Sequence, residues 1–177
     1  KSYSNLEKFV ASLWDFGLKV GHSVRTKQEI KKIITSDVKE FTSYLSLRPL
    51  SASKESIETM QEIFANREKL FSVNRFFIKK KNEQENRYLS FDSTEFNLEP
   101  DLKESPGSLR DFQTAAWILD HCFKLKSHAD ITNSNIFNSD EFKRIIDAHD
   151  FIKLLRYSIN LIQTNSRNRL SFNSQIE

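Results

Sequence analysis

Apolar residues recur at helical spacing along most of the chain and predict a mainly α-helical fold. Ser4-x-x-Glu7 reads as a capping box, followed by the stripe Leu6, Phe9, Val10, Leu13 and Trp14, with Gly17 ending the helix. Leu18, Val20, His22 and Val24 then alternate with Lys19, Gly21, Ser23 and Arg25, the period of a half-buried strand. From Lys27 to Leu47 the pattern gives one or two helices, with a break and recap at Thr35-Ser36-Asp37 and an end at Arg48-Pro49. Ile63, Leu70 and Phe77, and one position on Phe64, Phe71 and Ile78, extend Ile57 and Met60 into an apolar band. That band predicts one long helix from about Ser53 to Asn82. The stretch from Arg87 to Phe96 has no helical period and reads as a connector. Past it, a helix to about Lys124 puts Leu109, Phe112, Ala116, Leu119 and Phe123 toward a core, with Arg110, Thr114, Trp117 and His121 on another face. Lys126 to Phe137 reads as a loop. Asn138-x-x-Glu141 caps a last helix whose stripe is Phe142, Ile145, Ile146, Ile152, Leu155, Ile159 and Ile162, with His149 packed inside it.

Composition narrows the function classes. The 177 residues are 38% hydrophobic and include fifteen phenylalanines, enough for a real core and against disorder despite 29% charged residues. A net charge of +3 is too mild to indicate nucleic acid, and Lys79-Lys80-Lys81 reads as a solvated helix end. Cys122 is the single cysteine, so no intrachain disulfide forms; its neighbours Trp117, Leu119 and Phe123 predict a buried thiol. No apolar run approaches the roughly twenty residues that cross a bilayer, and cytoplasm is the expected compartment.

Candidate chemistry concentrates in Asn97-Leu-Glu-Pro-Asp-Leu-Lys-Glu-Ser-Pro-Gly-Ser-Leu-Arg-Asp111. Ser105-Pro106-Gly107-Ser108 reads as a helix start, with Ser105 as cap and Pro106 at the first helical position. The amides of Gly107 and Ser108 would then lack intrahelical partners at the positive end of the helix dipole. Lys103 before that end and Arg110 after it would supply two cations for a phosphate. Glu99 and Asp101 lie upstream in extended chain, and carboxylates beside a phosphate suggest a metal–nucleotide site. The same spacing also fits a capped helix with ordinary surface charges. His22 is either a partly buried histidine or a ligand contact at the strand end, beside Arg25, whose guanidinium can grip phosphate oxygens bidentately.

The run resembles the signature of bacterial PII uridylyltransferases, the uridylyltransferase/uridylyl-removing enzymes of nitrogen metabolism. Asn97, Leu98, Glu99, Pro100, Asp101, Lys103, Pro106, Gly107, Leu109, Arg110 and Asp111 all fit it. A second block, Leu13-Trp14-Asp15 through Val20-Gly21-His22-Ser23-Val24-Arg25-Thr26, and a third, Asn168-Arg169-Leu170-Ser171-Phe172, are similar to the same family in the right order. The chain departs from the pattern at Lys19, Ser90, Ser93 and Ser108.

The resemblance implies a helical bundle carrying a short remnant strand of an α/β polymerase-β-like nucleotidyltransferase core. Residues 1–50 would be the end of the nucleotidyltransferase domain and 51–177 the associated helical domain. The glycine turn and Asp-x-Asp pair of such enzymes do not occur here, and the chain begins at Lys1 rather than methionine. Hence an internal fragment, inactive alone, is expected, with the catalytic acids upstream and histidine–aspartate and glutamine-sensing domains downstream. In the whole enzyme, UTP with Mg²⁺ (or Mn²⁺) would donate UMP to a tyrosine of the PII signal protein. Lys103, Gly107, Ser108, Arg110, Arg25 and His22 would bind nucleotide, Glu99 and Asp101 would ligate metal or orient Lys103 and Arg110, and Asn97 and Asp111 would support them. Neither nucleic acid nor membrane is an expected partner. A glutamine synthetase adenylyltransferase-like enzyme and a diverged, non-catalytic helical module are the alternatives, the latter resting on Lys19, Ser90 and Ser108.

Overall fold

The computed structural model describes residues 2–91, 97–162 and 168–176, with side chains from Ser4 onward. Ser93, the end of the expected connector at Phe96, and Arg167 lie outside the described residues. Ten helices are present among those described: α1 (Ser2–Asp15), α2 (Lys27–Ser36), α3 (Val38–Leu45), α4 (Lys54–Ala65), α5 (Arg67–Leu70), α6 (Val73–Leu89), α7 (Leu109–Phe123), α8 (His128–Asn133), α9 (Ser139–Ile162) and α10 (Phe172–Ile176). No helix is long and apolar enough to cross a membrane among the described residues.

The core is a phenylalanine cluster. Phe41 of α3, Phe71 before α6 and Phe76 on α6 stack with Ile34 and Ile63, and each is almost fully buried. Residues on both sides of position 50 therefore share one core. Asp37 serves as C-cap of α2 and N-cap of α3, its carboxylate accepting the Lys39 amide at 2.7 Å, which is the break the sequence predicts.

Five expectations change. The single helix over Ser53–Asn82 is three, broken at Asn66 and at Phe71-Ser72, where Ser72 caps α6. On one straight helix Phe71 and Phe76 would point roughly 140° apart; the break lets both reach the centre, and leaves Phe77 and Ile78 about half exposed. Helix α6 also continues through Arg87 to Leu89, into the expected connector. The strand expected over Leu18–Val24 does not form: the segment has no ladder partner among the described residues, and Leu18, His22 and Val24 are exposed. The predicted loop after Lys126 holds α8, capped by the reciprocal pair Ser127 and Asp130. Ser4 is not a helix cap, because α1 already runs from Ser2.

Helix α7 is buried on one face and borders a groove on the other, where Ala116 is exposed. Leu109, Phe112 and Leu119 turn toward α9, as expected of a core face, while Phe123 is exposed. The opposite face, with Thr114, Trp117 and His121, packs on the phenylalanine cluster. Most of its polar groups are bonded, Thr114 to Arg110 O at 2.8 Å, Trp117 Nε1 to Ser46 Oγ at 2.8 Å and His121 Nε2 to Phe71 O at 2.8 Å, while His121 Nδ1 is buried without a hydrogen-bond partner among the described residues. His121 is fully buried, edge-on to Phe41 and Phe76 at 4.8 and 4.7 Å. A carbonyl only accepts, so Nε2 carries a hydrogen. Half-buried Cys122 flanks the same cluster, where burial pushes its thiol up. The Asn138–Glu141 capping bonds of α9 form as predicted, at 2.8 and 3.0 Å, and His149 packs against Phe112 at 5.1 Å.

Burial, reinforced by Arg67 and Lys124 and opposed by the Phe71 bond, holds the His121 pKa below its ordinary 6.5. The unfolded chain then takes up a proton before the folded one does. Stability is complete above about pH 6.5 and falls as pH drops toward the lower folded value, by up to about 1.4 kcal/mol per pH unit. Denaturant melts between about pH 6.5 and 5 should show that slope in the wild type, and His121→Gln should flatten it.

Candidate functional site

The candidate chemistry of residues 97–111 folds into a loop that closes on itself. The Asp101 carboxylate accepts the amides of Lys103 and Glu104, each at 2.8 Å, and its carbonyl takes the Ser105 hydroxyl at 2.6 Å. Gly107 adopts φ +76°, a left-handed backbone suited to glycine. The chain thereby doubles back over the start of α7. Ser108 donates its amide to Ser105 O, Leu109 to Leu102 O and Arg110 to Lys103 O, while the Gly107 amide reaches Asp111 Oδ2 at 2.7 Å.

This differs from the expected helix start. Helix α7 begins at Leu109 with Ser108 as N-cap, not at Pro106, because the 101–107 loop supplies its own carbonyls to the first turn. The amides of Gly107 and Ser108 are therefore occupied. Ser108 is 4% exposed in extended backbone, so no glycine is required there, and its hydroxyl makes no hydrogen bond.

Asp111 is the hub. Its carboxylate accepts Gln84 Nε2 at 2.9 Å, the Tyr88 hydroxyl at 2.7 Å, the Gly107 amide and the Arg87 guanidinium. Burial alone would raise this carboxyl, but those four donors together hold it below the usual aspartate value. Arg87 also donates to Glu104 O at 2.5 Å and Ser105 O at 3.4 Å, so one side chain of α6 ties both the hub and the loop.

The two cations expected to meet phosphate converge on one carboxylate. Arg110 forks onto Glu104, with Nη2 at 2.8 Å from Oε1 and Nε at 3.2 Å from Oε2, and Lys103 Nζ lies 3.4 Å from Oε1. The Arg110 fork, more than Lys103, lowers the Glu104 pKa. Neither Glu104 nor Arg87 is among the site residues expected from the sequence; a carboxylate next to Lys103 and a basic residue at the start of the expected connector were the available signals.

The expected metal ligands have other work. Glu99 accepts Arg169 at 2.8 Å and the first amide of α10, Phe172, at 2.9 Å. Asn97 accepts the Glu99 amide at 3.0 Å. Leu102 N bonds Asn168 O, Leu170 N bonds Pro100 O, and Gln175 reaches Leu98 O. The first and third sequence blocks thus pair, in an isolated antiparallel bridge between Asp101 and Arg169. Among the described residues no three histidine, cysteine or acidic groups are placed to hold a metal ion. Both Glu99 oxygens and Asp101 Oδ1 already accept hydrogen bonds from the protein.

The second block stays apart. His22 is exposed, with its ring 5.5 Å from Trp14. Arg25 is clamped by Glu40 at 2.6 and 3.1 Å, which raises its pKa further. Neither residue lines the cavities beside Arg110. One of these is a groove of about 1120 Å³ between α7, α8 and α9, with Lys103 on its rim and Phe112, Ile145 and Ile146 among its apolar lining. The other is a polar cleft of about 690 Å³ between α3, α6 and α7. Arg110 borders both.

Arg87→Ala strips Asp111 of its charge partner and the loop of two hydrogen bonds. A loss of about 2 kcal/mol is expected, less than for a fully buried pair. Urea unfolding of wild type and variant measures it, and the Asp111→Asn, Arg87→Ala double variant should lose less than the sum of the two single changes.

Comparison with known proteins places this loop in context. Residues 75–177 match the family model described as GlnD PII-uridylyltransferase. The chain is 34% identical over 172 residues to a bifunctional uridylyltransferase/uridylyl-removing enzyme of Haemophilus influenzae (strain PittEE), covering 97% of this chain and 20% of that protein. Enzymes of the same name from Hydrogenovibrio crunogenus and Nitrosococcus oceani are each 32% identical, covering 95% and 98% of this chain and 19% of their own lengths. The chain thus spans about one fifth of these relatives. No solved structure matches it. The family match takes in the hub, the loop, both cations and the paired third block, and by it the chain belongs to the GlnD PII-uridylyltransferase family.

Proposed function

We propose that this chain forms the helical wall of the nucleotide-transfer cleft in a longer uridylyltransferase. That enzyme transfers UMP from UTP to a tyrosine of the PII signal protein in nitrogen regulation. The tyrosine oxygen bonds to the α-phosphorus, the bond to the β-phosphate oxygen breaks, and pyrophosphate leaves. Charge builds on phosphate oxygens in such a transfer, and fixed cations stabilise it. Lys103 and Arg110 are the cations this chain offers, and their convergence on the Glu104 carboxylate is the observation that carries the reading. A site that holds one oxyanion between a fork and an ammonium can hold another. Mg²⁺ (or Mn²⁺) would accompany UTP, with Glu99 and Asp101 either ligating it or orienting the cations.

The loop's own bonds give these side chains a fixed base, so their removal should act on binding more than on folding. In the longer protein, Lys103→Ala and Arg110→Ala should each weaken UTP binding roughly five- to tenfold and lower the rate of UMP transfer to PII. Calorimetric titration with UTP, beside a melting curve for each variant, reads this. Unchanged affinity in both variants overturns the proposed roles.

A further inference from the structure

We propose that the polar cleft between α3, α6 and α7 seats a phosphate group of a nucleotide-sized anion, and that Glu104 is the internal anion this ligand displaces. The inference rests on the reading that Arg110 holds phosphate, and adds the side from which the phosphate enters and the groups it meets there.

Four cations border the cleft, Lys39, Lys80, Arg87 and Arg110, against two acids, Glu83 and Glu104. Its volume of about 690 Å³ lies within the range of small-molecule sites. Lys80 is only 3% exposed, held by Glu83 at 2.6 Å and lying 4.5 Å from the centre of the Trp117 ring. Arg87 spends its donors and its charge on Asp111 and the loop carbonyls, so it forms wall rather than a contact. Gln113, whose oxygen accepts from Arg110 at 2.5 Å, keeps its amide NH₂ for an acceptor. The Lys39 ammonium makes no ion pair among the described residues and stands on the α3 side, across from Arg110.

Glu104 already fills the oxyanion position. Its two oxygens take Nε and Nη2 of Arg110 in the bidentate geometry that phosphate also accepts, with Lys103 at 3.4 Å on the same oxygen. A phosphate entering the cleft exchanges for this carboxylate, gaining Arg110 and Lys103 together and Lys39 from across the cavity. Entry from the groove on the other side of α7 would meet Lys103 with Lys126, Lys153 and Arg156 and never meet Lys39. That difference separates the two sides.

The test is calorimetric titration of the 177-residue chain with inorganic tripolyphosphate, without metal, for the wild type and four variants, each checked by its melting curve. Glu104→Gln should bind roughly fivefold tighter, because the competing charge is gone. Lys39→Ala, Lys103→Ala and Arg110→Ala should each bind roughly three- to tenfold more weakly. If Lys39→Ala leaves affinity unchanged while Lys103→Ala and Arg110→Ala weaken it, the phosphate sits on the groove side; the cleft is then wrong and the cation reading stands. If Glu104→Gln does not tighten binding, the displaced-anion role is overturned. Absence of binding in both wild type and Glu104→Gln, or no effect of Arg110→Ala, overturns the inference together with the reading beneath it.

Discussion

The Asp111 carboxylate is the constraint on which the candidate site depends. It gathers Gln84, Tyr88 and Arg87 from α6 and the Gly107 amide from the loop, so one residue in the first turn of α7 fixes a helix–helix contact and a turn at once. A buried carboxylate with fewer donors would be costly; with four it becomes a rigid joint. Without that joint the left-handed turn at Gly107 has no anchor, and Lys103 and Arg110 lose the fixed spacing that lets both reach Glu104.

A second tie closes the loop from its other end. Glu99 holds Arg169 and the first amide of α10, and the chain around Pro100 and Leu102 pairs with Asn168 to Leu170. Segments nearly seventy residues apart in sequence are thus clamped together, and ordering them carries an entropic cost that side-chain bonds at both ends offset. The acids in this motif act mainly as folding residues. The cations are left to face the cavities.

Local chemistry was legible in the sequence, and long-range chemistry was not. The recap at Asp37, the Asn138–Glu141 capping box and the glycine end of α1 depend on neighbouring residues and could be read directly. The seven-residue recurrence across Ile63, Leu70 and Phe77 suggested one helix, but burying Phe71 and Phe76 in one centre won over helical continuity. His121 and Thr114 were set on a face apart from the core stripe because their partners, a carbonyl of residue 71 and one within α7, are invisible in a polarity pattern. The alternation over Leu18–Val24 was real, yet period two needs a neighbouring strand to become one, and none lies among the described residues. In the motif, the residue types that attract phosphate were readable. That loop carbonyls would occupy the first amides of α7 was not, since it requires the fold of the whole loop.

The central claim is that the loop's own groups satisfy the start of α7, leaving side chains rather than backbone amides to meet an anion. Native-state hydrogen exchange at the amides of Gly107, Leu109 and Arg110, in the absence of any ligand, tests this most directly. Strong protection at all three, comparable with the middle of α7, is the predicted result. Fast exchange at those amides, slowed only on adding UTP, would contradict it and return the anion site to the helix terminus.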